Sequence, residues 1–336
     1  MTGENDPPSR RGTTVASSVV DIIGETPVVA LERLTRGLSG RIVAKLEFLN
    51  PGFSKKDRIA KEIIDAALAS GELRPRQPVV ESTSGNTGTG LAIVCAVRGH
   101  PFTAVMSEGN SRERARMMRA LGATVVLVPQ AKTSRPGQVS GEDWALVEQR
   151  ARALTEEQGA FKVDQFARDL NRRTHELHTG VELWRQTEGQ IHAFCDFVGT
   201  GGTYAGITAA LKKRNPSVRC YVVEPEGAAV LAGEPARNAN HRIQGGGYGI
   251  SALDLLAGVP VDGHLQIADA EAIDVARQLA RLEGIFGGFS SGAVVAAALQ
   301  LLKNAHKGET IAVVLADSGL KYLSTDLWDD RDDLQE

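Results

Sequence analysis

The chain has 336 residues, 42% of them hydrophobic and 24% charged, which is long enough to bury a sizeable core as two domains or one large one. Recurrent apolar runs exclude intrinsic disorder over most of its length, and 38 basic against 41 acidic residues, a net charge of −3, leave no electrostatic footprint for nucleic acid. With 36 glycines and only 5% aromatics, the composition is that of an α/β enzyme with several tight strand-to-helix turns.

Residues 1–15 are polar, rich in Pro and Arg, and expected to be mobile. A short helix over 19–23 stops at Gly24, and Thr26-Pro27 leads into an extended run over 28–31. A β-rich segment, 42–48, ends at the turn signal Asn50-Pro51-Gly52, and helical spacing covers 57–69. From residue 79 the rhythm is strand, turn, helix: strand at 79–80, helix 87–97, strand 102–106, helix 111–121, strand 124–128. That alternation predicts a parallel sheet with right-handed crossovers. Residues 130–142, polar with Pro136, Gly137 and Gly141, break it and read as a surface loop at a domain joint, either a plain insertion or a lid. A helix around 144–154, a strand near Val163, helix 174–186, strand 193–198, helix 204–213 and strand 219–223 resume the pattern. The stretch 225–251 is irregular and rich in Gly and Asn. Helix 270–283, with Asp269 as N-cap, and helix 292–302 precede the strand 310–316. The tail from Asp326 is acidic and expected to fray.

No apolar run reaches a membrane span, and the first residues lack the apolar core of a signal peptide. Cys95, Cys195 and Cys220 lie far apart among apolar residues and read as buried thiols of a reducing compartment. A cytoplasmic protein without membrane or nucleic-acid partners is expected.

Four turns carry the chemistry. Gly199-Thr200-Gly201-Gly202-Thr203 follows an apolar strand and opens a helix. Its glycines let the backbone approach an anion, the helix N-terminus supplies unpaired amides, and the threonines add hydroxyls. It is a phosphate cup, or else a tight turn packed for helix–sheet contact; its spacing is not that of a dinucleotide fingerprint. Thr83-Ser84-Gly85-Asn86-Thr87-Gly88 suits a small carboxylate, although Ser, Gly and Asn are also ordinary capping residues. The turn over 50–58 carries Lys55 and Lys56 at the mouth of a helix, where amide dipoles disfavour an ammonium charge and poise an amine for Schiff-base chemistry. A surface position is the usual outcome for a lysine and is expected of Lys55. Small residues in Gly287-Gly288-Phe289-Ser290-Ser291-Gly292-Ala293 permit close approach of something flat. Phosphate cup, carboxylate turn, amine and flat platform together specify a pyridoxal phosphate site.

With these motifs in order, the chain resembles the cysteine synthase group, the O-acetylserine sulfhydrylases and relatives among the tryptophan-synthase-β-like enzymes of fold type II. The resemblance spans about 22–325 and also includes Gly24-Glu25-Thr26-Pro27, Gln165-Phe166, Asp317-Ser318-Gly319 and Tyr322-Leu323-Ser324-Thr325. It implies two open twisted α/β domains with the cofactor in the cleft between them. Residues 16–48 with 156–325 would form the larger domain and 49–155 a small mobile one, flanked by the segments 1–15 and 326–336. It implies that Lys56, rather than Lys55, carries the internal aldimine. Gly199, Thr200, Gly201, Gly202 and Thr203 then hold the phosphate, Asn86 bonds the ring hydroxyl, and Ser290 faces the pyridine nitrogen. Thr83, Ser84, Gly85 and Thr87 take the substrate carboxylate, with Gln165 reaching the same group and Gly246 and Tyr248 near the mouth of the site.

The implied reaction is β-replacement: O-acetyl-L-serine and sulfide give L-cysteine and acetate through an aminoacrylate. Two departures from the family pattern leave the nucleophile open. Ala167-Arg168-Asp169-Leu170-Asn171 stands where an Asn-Pro-Ala-Asn-like run is usual, and Gln244-Gly245-Gly246-Gly247-Tyr248-Gly249 replaces Gly-Ile-Gly-x-Gly-Phe. An amine, as in 2,3-diaminopropionate precursor synthesis, homocysteine as acceptor, O-phosphoserine as donor, or β-elimination to pyruvate would keep the same machinery. A homodimer and the C-terminal tail of a serine acetyltransferase are the partners implied. His175 and His178 read as solvated or capping residues, and no metal is expected.

Overall fold

The computed structural model describes residues 15–238 and 240–329; the expectations for 1–14 and 330–336 lie outside that range. In chain order the elements are β1 (Val28–Ala30), β2 (Arg41–Leu46), α1 (Lys56–Ser70), β3 (Val79–Ser82), α2 (Asn86–Arg98), β4 (Phe102–Ser107), α3 (Arg112–Ala120) and β5 (Thr124–Val128). They continue as α4 (Gly141–Gln158), β6 (Phe161–Lys162), α5 (Leu170–Thr174), α6 (Gly180–Gln186), β7 (Ala193–Phe197), α7 (Gly202–Arg214) and β8 (Arg219–Pro225). The last are β9 (Gly263–Ile267), α8 (Asp269–Glu283), α9 (Phe289–Lys303) and β10 (Thr310–Leu315).

Two sheets organise these elements. The larger has the order β1-β2-β10-β7-β8-β9 and the smaller β5-β4-β3-β6. Both central strands of the larger sheet, β7 and β10, are buried throughout, so their sequences run apolar rather than alternating. Alternation still decides which helices cover which face. Cys195, Phe197, Ile311 and Val313 pack with the residues of α8 and α9, whereas Phe194, Ala312 and Val314 pack with Leu183, Ile207 and Leu211 of α6 and α7. The smaller sheet is layered the same way: Val79 and Ala104 meet α1 and α2, while Val80 and Val105 meet Val147, Ala151 and Leu154 of α4. Its last strand, β6, pairs with β3 and so comes from beyond residue 155.

Several expectations change. β1 pairs antiparallel with β2, because no helix separates them to carry the chain back for a parallel crossover. The edge strand β9 carries no clear sequence signal, because its residues are mostly half-buried and lack a clear apolar alternation. The segment 19–23 forms only a 3₁₀ turn, Val19–Ile22. Ala268 occupies the N-cap of α8, and Asp269, the first helical residue, instead accepts the Arg242 N–H at 3.0 Å. Helical structure also begins earlier than 174, since α5 runs through a π turn over His175–Thr179 into α6. All three cysteines are buried and free, and no helix among the described residues is long and apolar enough to cross a membrane.

Candidate active site

The loops that leave β2, β3, β7 and β10 meet at one cleft, outside the carboxyl ends of the strands where open α/β sheets bind ligands. Lys55, Lys56, Asn86, Thr200, Gly201 and Ser290 are among the residues lining it, and it has a volume of about 40 Å³.

Lys56 is the first residue of α1, and its Nζ lies 3.5 Å from Thr200 Oγ1. Burial brings its pKa down to about 7; the neighbouring Lys55 ammonium acts in the same direction, and Asp196 and Glu81 oppose it. An amine in that state exchanges protons near neutral pH. The helix that presents it is pinned two residues on. Arg58 makes bidentate contacts to Glu47 at 2.7 and 2.8 Å and to Glu182 at 2.6 and 2.7 Å, and Lys45 Nζ lies 2.8 Å from Glu182. Burial pushes the Glu47 and Glu182 carboxyls up, but the Arg58 guanidinium outweighs it and holds both at about 2. A rigid anchor of this kind fixes the direction in which Lys56 emerges.

Across the cleft, the 199–203 loop enters α7 with Gly201 at φ +88°, a left-handed conformation that glycine adopts without strain. A Cβ on Gly202 would lie 2.2 Å from Asn171 Oδ1, and one on Gly199 2.5 Å from the Gly245 carbonyl, so the loop has no room for side chains there. Asn171 Nδ2 donates to Thr200 Oγ1 at 3.0 Å and to the Gln165 carbonyl at 2.8 Å. His175, expected to be solvated or capping, is fully buried, with Nε2 3.2 Å from Thr203 Oγ1 and Nδ1 2.9 Å from Thr179 Oγ1. Burial and the nearby lysines hold its pKa well below the ordinary value, so the neutral ring serves as a hydrogen-bond partner of the loop.

The 83–88 turn opens α2. Thr83 Oγ1 accepts the N–H groups of Gly85 and Gly88 at 2.9 and 3.0 Å, which leaves its own proton to donate. Thr87 Oγ1 donates to Gln165 Oε1 at 2.6 Å, and Gln165 Nε2 donates to the Ser82 carbonyl at 3.1 Å. Two residues from separate motifs are thus joined. Asn86 donates to Asp317 Oδ2 and accepts from Lys321 Nζ, each at 2.7 Å, leaving one amide proton of Nδ2. Ser290 is buried in the first turn of α9.

A lysine amine, a glycine-lined helix N-terminus and Asn86 of the 83–88 turn therefore line one cavity. The profile of the pyridoxal-phosphate dependent enzymes matches residues 19–317. The chain belongs to that family. It is 40% identical over 313 residues to the cysteine synthase of Staphylococcus aureus strain N315, covering 93% of this chain and 96% of that one. The crystal structure of cysteine synthase from Entamoeba histolytica superposes with a TM-score of 0.85 at 31% identity, over 98% of this chain and 96% of the other. That of O-ureido-L-serine synthase gives 0.81 at 35% identity, over 96% and 99%. As a fold type II member of the pyridoxal-phosphate dependent enzymes, the protein has a cleft whose chemistry fits that cofactor: an amine of low basicity, a glycine loop with no room for side chains at Gly199 and Gly202, and Asn86 and Ser290 at the starts of α2 and α9.

Lys55 is not the surface residue expected. It is 8% exposed, and its Nζ reaches Asp196 on β7 at 3.0 and 3.3 Å. Arg168, in the 167–171 run that departs from the family pattern, turns away from the cleft: its guanidinium pairs with Glu72 at 2.8 and 2.9 Å and lies over the Phe161 ring. The loop 130–142 is held by its own bonds, from Gln130 Nε2 to the Gln138 carbonyl and from the Ala131 N–H to Asp143, whose carboxylate closes a capping box with Ser140. Arg114, fully buried on α3, donates to the Ser84 carbonyl and lies 4.7 Å from the Tyr322 ring centroid. No motif marks Arg114 or Asp196, and Asn171 stands out only as the end of the 167–171 run, because each acts on a loop distant in sequence.

Proposed function

We propose that the protein makes L-cysteine from O-acetyl-L-serine and sulfide, releasing acetate. The observation that carries this reading is Lys56, a half-buried amine with a pKa brought down to about 7, facing Thr200 of the 199–203 loop in the same cleft as Asn86 of the 83–88 turn. The 40% identity to a cysteine synthase supports the choice of donor and nucleophile.

Pyridoxal phosphate, when bound, supplies an electron sink that stabilises negative charge at the substrate α-carbon. Gly199, Thr200, Gly201, Gly202 and Thr203 would hold its phosphate, with Lys56, Asn86 and Ser290 meeting its ring side. The substrate carboxylate is taken by the hydroxyls and amides of Thr83, Ser84, Gly85 and Thr87, and by Gln165 once the Thr87 bond is shared. Lys56, freed by the incoming amino group, removes the α-proton, and acetate leaves from the β-carbon. Hydrosulfide adds at that carbon and Lys56 returns the proton to the α-carbon. A hydroxyl, Ser290, rather than a carboxylate would meet the pyridine nitrogen, and the moderate electron sink this would leave suits β-substitution better than transamination.

Closure of the smaller sheet over the cleft belongs to this reading, with the 83–88 turn answering the carboxylate. So do a homodimeric assembly, a cytoplasmic location, and competition at the same turn by the C-terminal carboxylate of a serine acetyltransferase. The experiment is stopped mixing of the holoenzyme with O-acetyl-L-serine, O-phospho-L-serine and L-serine in turn. We expect a change in the visible spectrum with O-acetyl-L-serine, reversed by sulfide with release of one cysteine. No spectral change with any serine derivative overturns the proposal, as does full turnover by Lys56→Ala.

A further inference from the structure

Three aromatic rings from three distant segments meet beside the carboxylate turn. Trp144 on α4 stacks on Tyr248 with centroids 5.4 Å apart and planes inclined by 20°. Phe166, the residue after Gln165, lies 5.0 Å from Trp144 and 6.4 Å from Tyr248. All three are half-buried, so the cluster sits where the interior meets solvent.

The loop that carries Tyr248 is fixed at its base. The Gly247 N–H donates to the Val198 carbonyl at 3.2 Å, and His241 Nε2 lies 2.9 Å from the Gly247 carbonyl. A Cβ on Gly246 would lie 2.3 Å from the Val198 carbonyl, so the backbone is pressed against the end of β7. On the opposite side, a Cβ on Gly141 would come within 2.8 Å of the Tyr248 carbonyl, so the start of α4 is equally close. The Tyr248 ring thus reaches from a loop of the larger sheet to α4 of the smaller one, and Phe166 beside it follows Gln165, whose side chain accepts from Thr87 of the turn proposed for the substrate carboxylate. The adjacent pocket, lined by Val198, Gly199, Gly247, Tyr248 and Ile250 among others, has a volume of only about 10 Å³, room for a single water.

Resting on the β-replacement reading above, we propose that Trp144, Phe166 and Tyr248 form an acceptor-size filter, admitting hydrosulfide and excluding amino-acid thiols. Stacked rings held by two sheets cannot part for a bulky nucleophile without losing contacts on both sides. The filter also assigns a role to the loop in which the chain departs from its relatives.

The test compares the wild-type holoenzyme with Tyr248→Ala, Trp144→Leu and Tyr248→Phe. Each is charged with O-acetyl-L-serine and then given sulfide or L-homocysteine. We expect the ratio of kcat/KM for homocysteine to that for sulfide to rise about tenfold in Tyr248→Ala and Trp144→Leu, the scale on which pockets discriminate by size. Tyr248→Phe, which keeps the ring, should leave the ratio unchanged. Acrylamide quenching of Trp144 fluorescence, with Trp144→Leu as background, gives a reading that needs no turnover: Tyr248→Ala should expose the indole. Unchanged ratios in folded Tyr248→Ala and Trp144→Leu overturn the filter, as does unchanged quenching. A wild-type enzyme inert to O-acetyl-L-serine and sulfide overturns the reaction instead, and the quenching still reports on the stack.

Discussion

Lys55 and Asp196 face each other on the wall of the cleft, Nζ to Oδ1 3.0 Å, one at the mouth of α1 and the other on β7. Burial pushes the Asp196 carboxyl up, and Lys55 opposes that rise. The pair is a buried ionic contact between the lysine-bearing turn and the strand that leads to the 199–203 loop. Removing one partner strands the other, which costs about 3–5 kcal/mol in buried pairs, whereas removing both is close to neutral. Lys55→Met should therefore destabilise the fold by about that amount in urea titrations, and Lys55→Met with Asp196→Ala should recover most of it. Equal stability of Lys55→Met and wild type would show that the pair holds nothing.

The Arg58 anchor has a pH signature. Glu47 and Glu182 sit at about 2 in the fold against an ordinary 4.5, so they bind fewer protons there than in the unfolded chain. Their contribution is complete above pH 4.5 and is lost as the pH falls toward 2. Arg58→Leu should cost about 3–5 kcal/mol at neutral pH, and the deficit should shrink as the pH is lowered through that window. Urea midpoints at several pH values check this. A deficit independent of pH contradicts it.

Glu81 runs the other way. Burial raises its pKa from 4.5 to about 7, with the N–H groups of Asp164 and Gln165 and the Lys162 ammonium opposing the rise. The fold binds more protons than the unfolded chain between those values, so stability falls as the pH rises from 4.5 to 7. Glu81→Gln lacks that loss. At pH 8 it should exceed wild type by roughly 3 kcal/mol, from about 1.4 kcal/mol per pKa unit, and show no such excess at pH 4.

Thr87 and Gln165 share the 2.6 Å bond expected to open toward the substrate carboxylate. Thr87→Val keeps the shape and removes the hydroxyl. Its loss of one hydrogen bond to a charged group, about 1.5–3 kcal/mol, should raise KM for the amino-acid donor roughly tenfold or more with kcat little changed. A fall in kcat at constant KM would place the hydroxyl at the reacting atoms instead.

Local chemistry was enough to read the βα rhythm, the 199–203 and 83–88 turns at helix entrances, and Lys56 at the mouth of α1, because glycine freedom, capping hydroxyls and helix spacing act over a few residues. The sequence by itself determined which cofactor family the chain serves and most of its strands and helices. It did not determine that β1 runs antiparallel, that β9 completes the sheet edge, or that Lys55 is buried against Asp196, 141 residues away. Nor did it place His175 against Thr203 or stack Trp144 on Tyr248. Burial and pairing are properties of what folds over a residue, and a lysine, histidine or tryptophan carries no local mark of the partner that long-range packing will bring to it.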